Sequence, residues 1–334
     1  MIPRWLNLEG ERLDARIAKI AESDRPVIAG PFTGEVGFEL LYWIPLLRRA
    51  VEIHPELRER MTVVSRGGTR PWTRDLATGY ADVYKHALPR GGRSGGEPTK
   101  ATTISARDRK IVEWAGRREG LDRPVLLHPS VFYRTYHRVR RDDPYAFARL
   151  ARPSKRGAKG LFSSYRPLPH PGLREDIELP ERFAAVRFYS RPSFPDESAT
   201  RELVRRVVAG LGKQMPVVLC HHGRALDEHV EFEIEAGGAE LVRLPEKIPP
   251  AQNLAVQSAV IARAEVFAGT YGGLSYLAPF YGVPSIAFNP YPEHTLPWHL
   301  ELAQKVFSSP RFGSLLVLGP GQLELAELVA GGTE

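Results

Sequence analysis

"VFAGTYGGLSYLAPFYGVPSIAF", residues 266–288, is the stretch on which the fold turns. An apolar, β-rich run ends in Thr270-Tyr271-Gly272-Gly273, a helical pattern follows, and Gly282-Val283-Pro284 leads into a second apolar run. Strand, small-residue turn, helix and strand form the unit of a parallel sheet, because parallel neighbours need a crossover connection. Glycines where the strand hands over to the helix leave bare backbone N–H groups at the positive end of the helix dipole. Such a turn can cradle an anion, and it can equally be a tight turn that needs glycine for packing.

The same alternation extends in both directions. In the second half, strands are expected at 183–190, 216–222, 239–244, 265–270, 284–288 and 314–319. Helices are expected at 198–212, 251–263, 273–281, 295–306 and 322–330. The first half offers strands at 26–30, 61–65 and 124–129, with helices over 36–52 and 106–119. Between them "RGGRSGGEPTK" (90–100) reads as a mobile loop. Short, nearly continuous apolar strands imply parallel sheets covered on both faces. The expected fold is therefore α/β, two Rossmann-like domains facing a cleft. Residues 1–165 and 183–334 form the domains, joined by a Pro-rich linker over 166–182. In such sheets ligands bind beyond the carboxyl ends of the strands.

Composition narrows the class. The 334 residues are 43% hydrophobic and 25% charged, as in globular proteins. A lone cysteine, Cys220, excludes an intramolecular disulfide, and its apolar strand predicts a buried, inert thiol. The N-terminal stretch carries charges throughout and lacks a signal-peptide core, so a cytoplasmic location is expected. Net charge is +7, and ten Lys/Arg fall between Tyr133 and Arg166 against two Asp, an excess of eight that accounts for the whole imbalance. This 133–166 segment reads as a solvated connector or as an arm for an anionic substrate or an acidic membrane face. Nucleic acid is not expected, since zinc-finger, helix-turn-helix and aromatic-rich RNA signatures are missing nearby.

Three turns carry chemistry. At 269–275, Gly269, Thr270, Tyr271, Gly272, Gly273 and Ser275 would bind a donor phosphate; neither a Walker loop nor a GxGxxG fingerprint is present. "AAVRFYSRPSFPD" (184–196) places Arg187 inside a strand, where it is costly unless it faces an anion, and Arg191 at the strand end. An internal pair with Asp196 or Glu197 is the alternative for these arginines. "AGPFTGEVGFELLYWIPLLRRAV" (29–51) again ends a strand in glycines and opens a helix, now with Glu35 in the turn and Glu39 one helical turn later. A carboxylate there overhangs the cleft, where a general base belongs, although an N-terminal helix carboxylate can also simply satisfy backbone N–H groups. Glu39 reads as the more structural of the two. Thr33, Gly34 and Gly37 would line the acceptor side. His222, beside His221 at the end of a strand, is a further donor contact or ordinary loop packing. Adjacent histidines on a strand point to opposite faces and do not share a metal ion. His294 and Trp298 could line a sugar pocket, with helix packing the alternative for Trp298. The only GxSxG match, Gly92–Gly96, falls in the glycine loop and not at the end of an apolar strand, so it does not read as a hydrolase elbow.

These residues resemble GT-B glycosyltransferases. "GEVGFELLYWIPLLRRAV" is similar to the Gly-Asp-aliphatic loop of ADP-heptosyltransferases, whose acidic residue is the expected base, with Glu35 replacing Asp. "AGTYGGLSYLAPFYGVPSIAF" resembles their late donor-phosphate segment, and "VRFYSR" looks like the arginine-bearing strand of fucosyltransferase-like enzymes. "GPFTGEVGFEL" followed by "SRGGTRPWTRDLATGYADVY" is similar to a pattern in bacterial surface-polysaccharide gene products. The resemblance spans roughly residues 26–85 and 183–290 and draws on more than one family. It implies transfer of a sugar from a nucleotide-diphosphate donor to an acceptor hydroxyl, with inversion and no cofactor. Glu35 would be the base and Arg187 the catalytic arginine. The chain has no Asp-x-Asp metal site, so arginines and helix dipoles would neutralise the leaving diphosphate. A nucleotide-sugar epimerase on the same fold and a non-catalytic binding protein of GT-B descent remain as alternatives.

Overall fold

A computed structural model describes residues 4–86, 102–134, 165–220, 230–235, 238–245 and 247–324. The expected 90–100 loop, most of the 133–166 basic segment and all but the first residues of the 322–330 helix lie outside the described residues.

The first half builds a four-stranded sheet from β1 (Val27–Ala29), β2 (Met61–Ser65), β3 (Gly79–Asp82) and β4 (Val125–Leu127), in the order β3-β2-β1-β4. All of its pairings are parallel. β1 and β2 are buried along their whole length, which is why they read as unbroken apolar runs. β3 is an edge strand with Gly79 and Asp82 at its ends, and it has no counterpart among the expected strands. The long N-terminal helix Arg4–Ala21, which buries Leu13 and Ile17, is likewise additional to the expected helices.

The second half contains β5 (Ala184–Arg187), β6 (Tyr189–Ser190), β7 (Val217–Leu219), β8 (Val230–Glu231), β9 (Leu241–Arg243), β10 (Val266–Thr270), β11 (Ser285–Phe288) and β12 (Leu315–Leu318). Six of these form a parallel sheet ordered β12-β11-β10-β5-β7-β9. Read from its β9 edge and counted in chain order among the six, the strands run 3-2-1-4-5-6, the doubly wound Rossmann arrangement. The order reverses between β5 and β10, the switch point beyond whose carboxyl ends sheets of this kind bind ligands. The expected strand over 183–190 is broken after Arg187, because Tyr189–Ser190 leaves the sheet to pair antiparallel with Val230–Glu231.

Helices cover both faces. Ser198–Gly212 buries Leu203, Val204, Val207, Val208 and Leu211, the spacing of one helical face. Ala106–Arg118 starts at a reciprocal capping box between Ser105 and Asp108. After β1 the chain is helical from Val36 to Ile53, with a π-helical turn over Glu39–Trp43 that buries all five of its residues. Gly30 shapes the entry to this run. Its φ is +135°, and a Cβ there would come within 2.2 Å of the Val64 carbonyl oxygen.

The halves share one hydrophobic core. Trp72 Nε1 donates to Ser258 Oγ at 2.9 Å, Tyr165 Oη to the Leu41 carbonyl at 2.8 Å, and Ala255 N to the Gly67 carbonyl at 3.1 Å. Tyr42 Oη lies 3.1 Å from His299 Nδ1, on the Pro297–Phe307 helix of the second half. A close backbone approach brings Gly37 against Gly273, at the start of the Gly273–Phe280 helix. A Cβ at Gly273 would stand 2.6 Å from Val36 Cβ and 3.0 Å from Gly37 N. Gly273→Ala should therefore destabilise the protein by about 1–3 kcal/mol, the usual cost of overpacking. Gly172→Ala, with open space around its new methyl group, should leave the urea midpoint unchanged.

Candidate functional site

The carboxyl ends of β1, β5 and β10 meet where the halves touch. β1 delivers the Gly30–Glu35 loop, β5 delivers Tyr189 and Arg191, and β10 delivers Thr270–Gly273. Glu35 is exposed and sits at the N-cap position of the helical run with an extended backbone and no side-chain capping bond. Its neighbour Val36 lies against Gly273, so the Glu35 backbone borders the glycine turn. Thr33 is exposed beside it, and Gly34 packs under Tyr133 and Phe32. Gly37 packs on the Tyr276 ring.

Glu39 has the structural role expected of it. It is 1% exposed, accepts from Ser65 Oγ at 2.5 Å and pairs with Arg66 Nη1 at 2.7 Å. Burial pushes its carboxyl up, and the charge and hydrogen bonds of Arg66 and Ser65 offset only part of that. Arg66 stays cationic and uses Nη2 to grip the Gly34 carbonyl. Tyr80 and the Gly68 N–H donate to Asp82 next to this pair.

The glycine turn uses most of its own polar groups. Thr270 Oγ1 accepts from Tyr189 N and donates to the Tyr189 carbonyl. Ser275 Oγ accepts from Gly272 N at 3.1 Å and donates to the Gly272 carbonyl at 2.7 Å. Tyr271 is buried, its hydroxyl 2.6 Å from that of Tyr276, and burial pushes it up to about 12. Thr270, Tyr271 and Ser275 thus brace the turn from beneath, and their side chains are not free ligand contacts as expected. Gly269 is a packing glycine, since a Cβ would meet the Arg187 carbonyl at 2.2 Å. Above the turn, a Cβ at Gly272 would meet Tyr189 Oη at 2.3 Å and Arg191 Nη1 at 3.3 Å. Arg191 is half-buried and donates to the Tyr271 carbonyl at 3.3 Å. It is the guanidinium at the lip of the site.

Arg187 departs from expectation. It is 6% exposed, with Nη1 on Gln257 Oε1 at 2.8 Å, Nη2 3.3 Å from Glu231 Oε1, and its guanidinium 5.5 Å from the Tyr189 ring centroid. The anion that a buried strand arginine requires is Glu231, delivered by β8, and neither Asp196 nor Glu197. Arg187 is the floor of the site and not its ligand wall. Cys220, beside this pair, is buried and pushed up to about 12, as an inert thiol should be. His222 lies outside the described residues. Trp298 and His294 flank the loop after β11, Trp298 buried and His294 exposed.

Tyr189, Glu231, Gln257 and Arg66 are site residues beyond those expected from the sequence. Arg66 lies in the quoted "SRGGTR" turn after β2 and Tyr189 in "VRFYSR", whereas Glu231 and Gln257 carried no signal. A hydrolytic reading gains nothing here. His128 Nδ1 accepts from the Ser130 N–H, and its Nε2 faces Asp108 at 3.5 Å, so the Ser130 hydroxyl is not its partner. Burial raises Asp108, but hydrogen bonds from His128 and Ser105 outweigh it and hold the carboxyl low. Among the described residues no three His, Cys, Asp or Glu side chains cluster to hold a metal, and no helix is long and apolar enough to cross a membrane.

No protein-family model and no curated protein matches the chain. Among solved structures it is similar to the iron-containing dodecameric glycosyltransferase TibC of enterotoxigenic E. coli, at 17% identity and a TM-score of 0.40. That likeness covers 83% of this chain but only 64% of TibC, so the chain spans under two thirds of that protein. The E. coli heptosyltransferase WaaC with ADP aligns over 91% of this chain and 97% of its own, at 13% identity and a TM-score of 0.42. A family 9 glycosyl transferase from Veillonella parvula aligns over 89% and 86%, at 11% identity and 0.45. These are distant likenesses, and the functional reading is carried by the geometry of the site.

The two glutamates should separate in stability measurements. Glu39→Ala leaves Arg66 buried without its partner and should cost about 3–5 kcal/mol, whereas Glu35→Gln on the surface should change stability by less than about 0.5 kcal/mol. Because folding raises the Glu39 carboxyl above its ordinary 4.5, the folded state binds that proton more tightly than the unfolded one. This contribution is complete below 4.5 and is lost as pH rises through the folded-state value. The difference in unfolding free energy between wild type and Glu39→Gln, followed by urea titration, should therefore shrink with rising pH across that window.

Proposed function

We propose that the protein is a glycosyltransferase that moves a sugar from a nucleotide-diphosphate donor to an acceptor hydroxyl, inverting the anomeric centre without a metal ion. The observation that carries this reading is the abutment of the Glu35 turn on the Gly272–Gly273 turn, each at the carboxyl end of a parallel strand. A proton acceptor from one half and an anion cradle from the other meet at one point. That division of labour suits a displacement in which base and leaving group occupy opposite sides of the sugar.

In this mechanism the Glu35 carboxylate takes the proton of the acceptor hydroxyl as its oxygen attacks the anomeric carbon. The bond to the diphosphate oxygen breaks on the far side, and negative charge grows on that oxygen. Arg191 and the first N–H groups of the Gly273–Phe280 helix receive it. Arg187 acts through Tyr189, which it underlies, and holds the floor. Val36 and Tyr189 cover the glycine turn, so the donor enters as the Val36–Gly273 contact parts. The acceptor lies on the side of Thr33, Gly34 and Gly37. A cytoplasmic setting and contact of the 133–166 segment with an acidic membrane face belong to the same proposal.

A thermal-shift panel of UDP, GDP, ADP, dTDP and CMP sugars tests it. One nucleotide at about 100 times its Kd should add about 2.7 kcal/mol of stability, and stabilisation by none would overturn the reading. Arg191→Ala should weaken nucleoside diphosphate binding by about tenfold or more, the loss of a charged hydrogen bond, while nucleoside binding holds. Glu35→Gln should keep donor affinity and lower kcat by about 10²–10⁴-fold. Release of a free epimer in place of transfer would point to epimerase chemistry.

A further inference from the structure

Arg66 sits against the loop that carries Glu35 and next to a contact with the second half. We propose that Arg66 is a positioning residue that fixes the Thr33–Glu35 turn and ties its position to engagement of the second half. The inference rests on Glu35 acting at this site, as proposed above, and adds how it is held there.

The loop that carries Glu35 has few anchors of its own. Gly30 N donates to the Leu127 carbonyl at 2.9 Å and Phe32 N to the Val64 carbonyl at 2.9 Å, so among the described residues the backbone bonds of the loop to the sheet end at Phe32. From Thr33 to Glu35 the hydrogen bonds that hold it are the grip of Arg66 Nη2 on the Gly34 carbonyl and the first helical bond, Glu39 N to the Glu35 carbonyl at 3.1 Å. Arg66 touches both ends of this stretch, because its Nη1 also holds the side chain of Glu39 at 2.7 Å. The guanidinium also lies over the Phe32 ring, 5.8 Å from its centroid. One planar fork thus fastens the residue before Glu35 and the helical turn after it. An ammonium is a point charge and cannot present two coplanar donors to both acceptors.

Arg66 is also next to the inter-domain contact. Gly67 accepts from Ala255 N at 3.1 Å and packs on Leu254, both in the second half. On the other side, Asp82 accepts from Gly68 N at 2.7 Å, which fixes the same turn to β3. Residues 65–68 therefore join the helix that carries Leu254 to the loop that carries Glu35. The geometry makes the base well placed when that contact is made and loosely placed when it is not.

Arg66→Lys tests this, since it keeps the charge that Glu39 needs and removes the fork. Amide exchange of residues 33–38, followed by mass spectrometry, should speed up by about an order of magnitude, the loss of one charged hydrogen bond, with residues 184–190 unchanged. With a nucleotide-sugar donor, kcat should fall about 100-fold while the donor KM stays within about twofold, as misplacement of a catalytic group predicts. Exchange that rises equally in residues 33–38 and 184–190, or kcat and KM moving together, would reduce Arg66 to a structural residue and overturn the proposal. Glu39→Gln provides a second test should the Arg66→Lys variant fail to fold: it should reproduce the exchange pattern, and unchanged exchange would count against the idea. The exchange measurement needs no substrate. A wild type with no transferase activity would therefore sink the functional reading and leave exchange alone to decide whether Arg66 holds the loop.

Discussion

Two helix N-termini are driven together at the centre of this molecule, and much of its structure answers that constraint. The run beginning at Val36 and the helix beginning at Gly273 start within contact of each other, close enough that a Cβ at Gly273 would clash with Val36, while one at Gly37 would crowd the Tyr276 ring. Each brings the positive end of its dipole and N–H groups without helical partners. Two like poles in contact are unfavourable unless negative charge lies between or beside them. Glu35 supplies one such charge, and Arg191 stands beside the second terminus as a cation that can share another.

That convergence also explains why the buried charges lie where they do. Glu39–Arg66 and Arg187–Glu231 occupy corresponding places, each at the carboxyl end of a sheet directly beneath one of the loops. Buried pairs of this kind contribute little net stability against an apolar core, but breaking either one leaves an unpaired charge in a region without water. They select one arrangement of the loop above them. Arg187 with Gln257 and Tyr189 holds the β5 exit, as Arg66 with Ser65 holds the β1 exit.

The parts of the fold visible in the sequence are those where one local force dominates. β2 and the Ser198–Gly212 helix match their expected limits, because an unbroken apolar run and a 3.6-residue apolar period are each unambiguous. β3 is hidden because its edge position lets it carry Gly79 and a buried Asp82, which accepts from Tyr80 and the Gly68 N–H. The site was legible as a set of turns but not as a set of roles. A glycine that admits a ligand and a glycine that admits a neighbouring carbonyl look alike in sequence, and Gly269 is of the second kind. The cost of an arginine inside a strand was readable at Arg187. Its partner was not, because Glu231 arrives from a two-residue strand that no periodicity marks.

The arrangement places unequal demands on the two arginines of the β5 exit. Arg187, enclosed by Glu231, Gln257 and the Tyr189 ring, cannot turn outward without giving up its pair with the half-buried Glu231 and its bond to Gln257. Arg191 is half exposed and, among the described residues, its guanidinium is held by a long bond to the Tyr271 carbonyl, so it can move at small cost. In the proposed mechanism a ligand with two or more negative charges would therefore meet one mobile guanidinium and a helix terminus, not a pair of fixed arginines. Most of its charge would be balanced by backbone dipoles that are already oriented, with the reorganisation shared between the Val36–Gly273 contact and the side chains of Arg191 and Tyr189 that lie over Gly272.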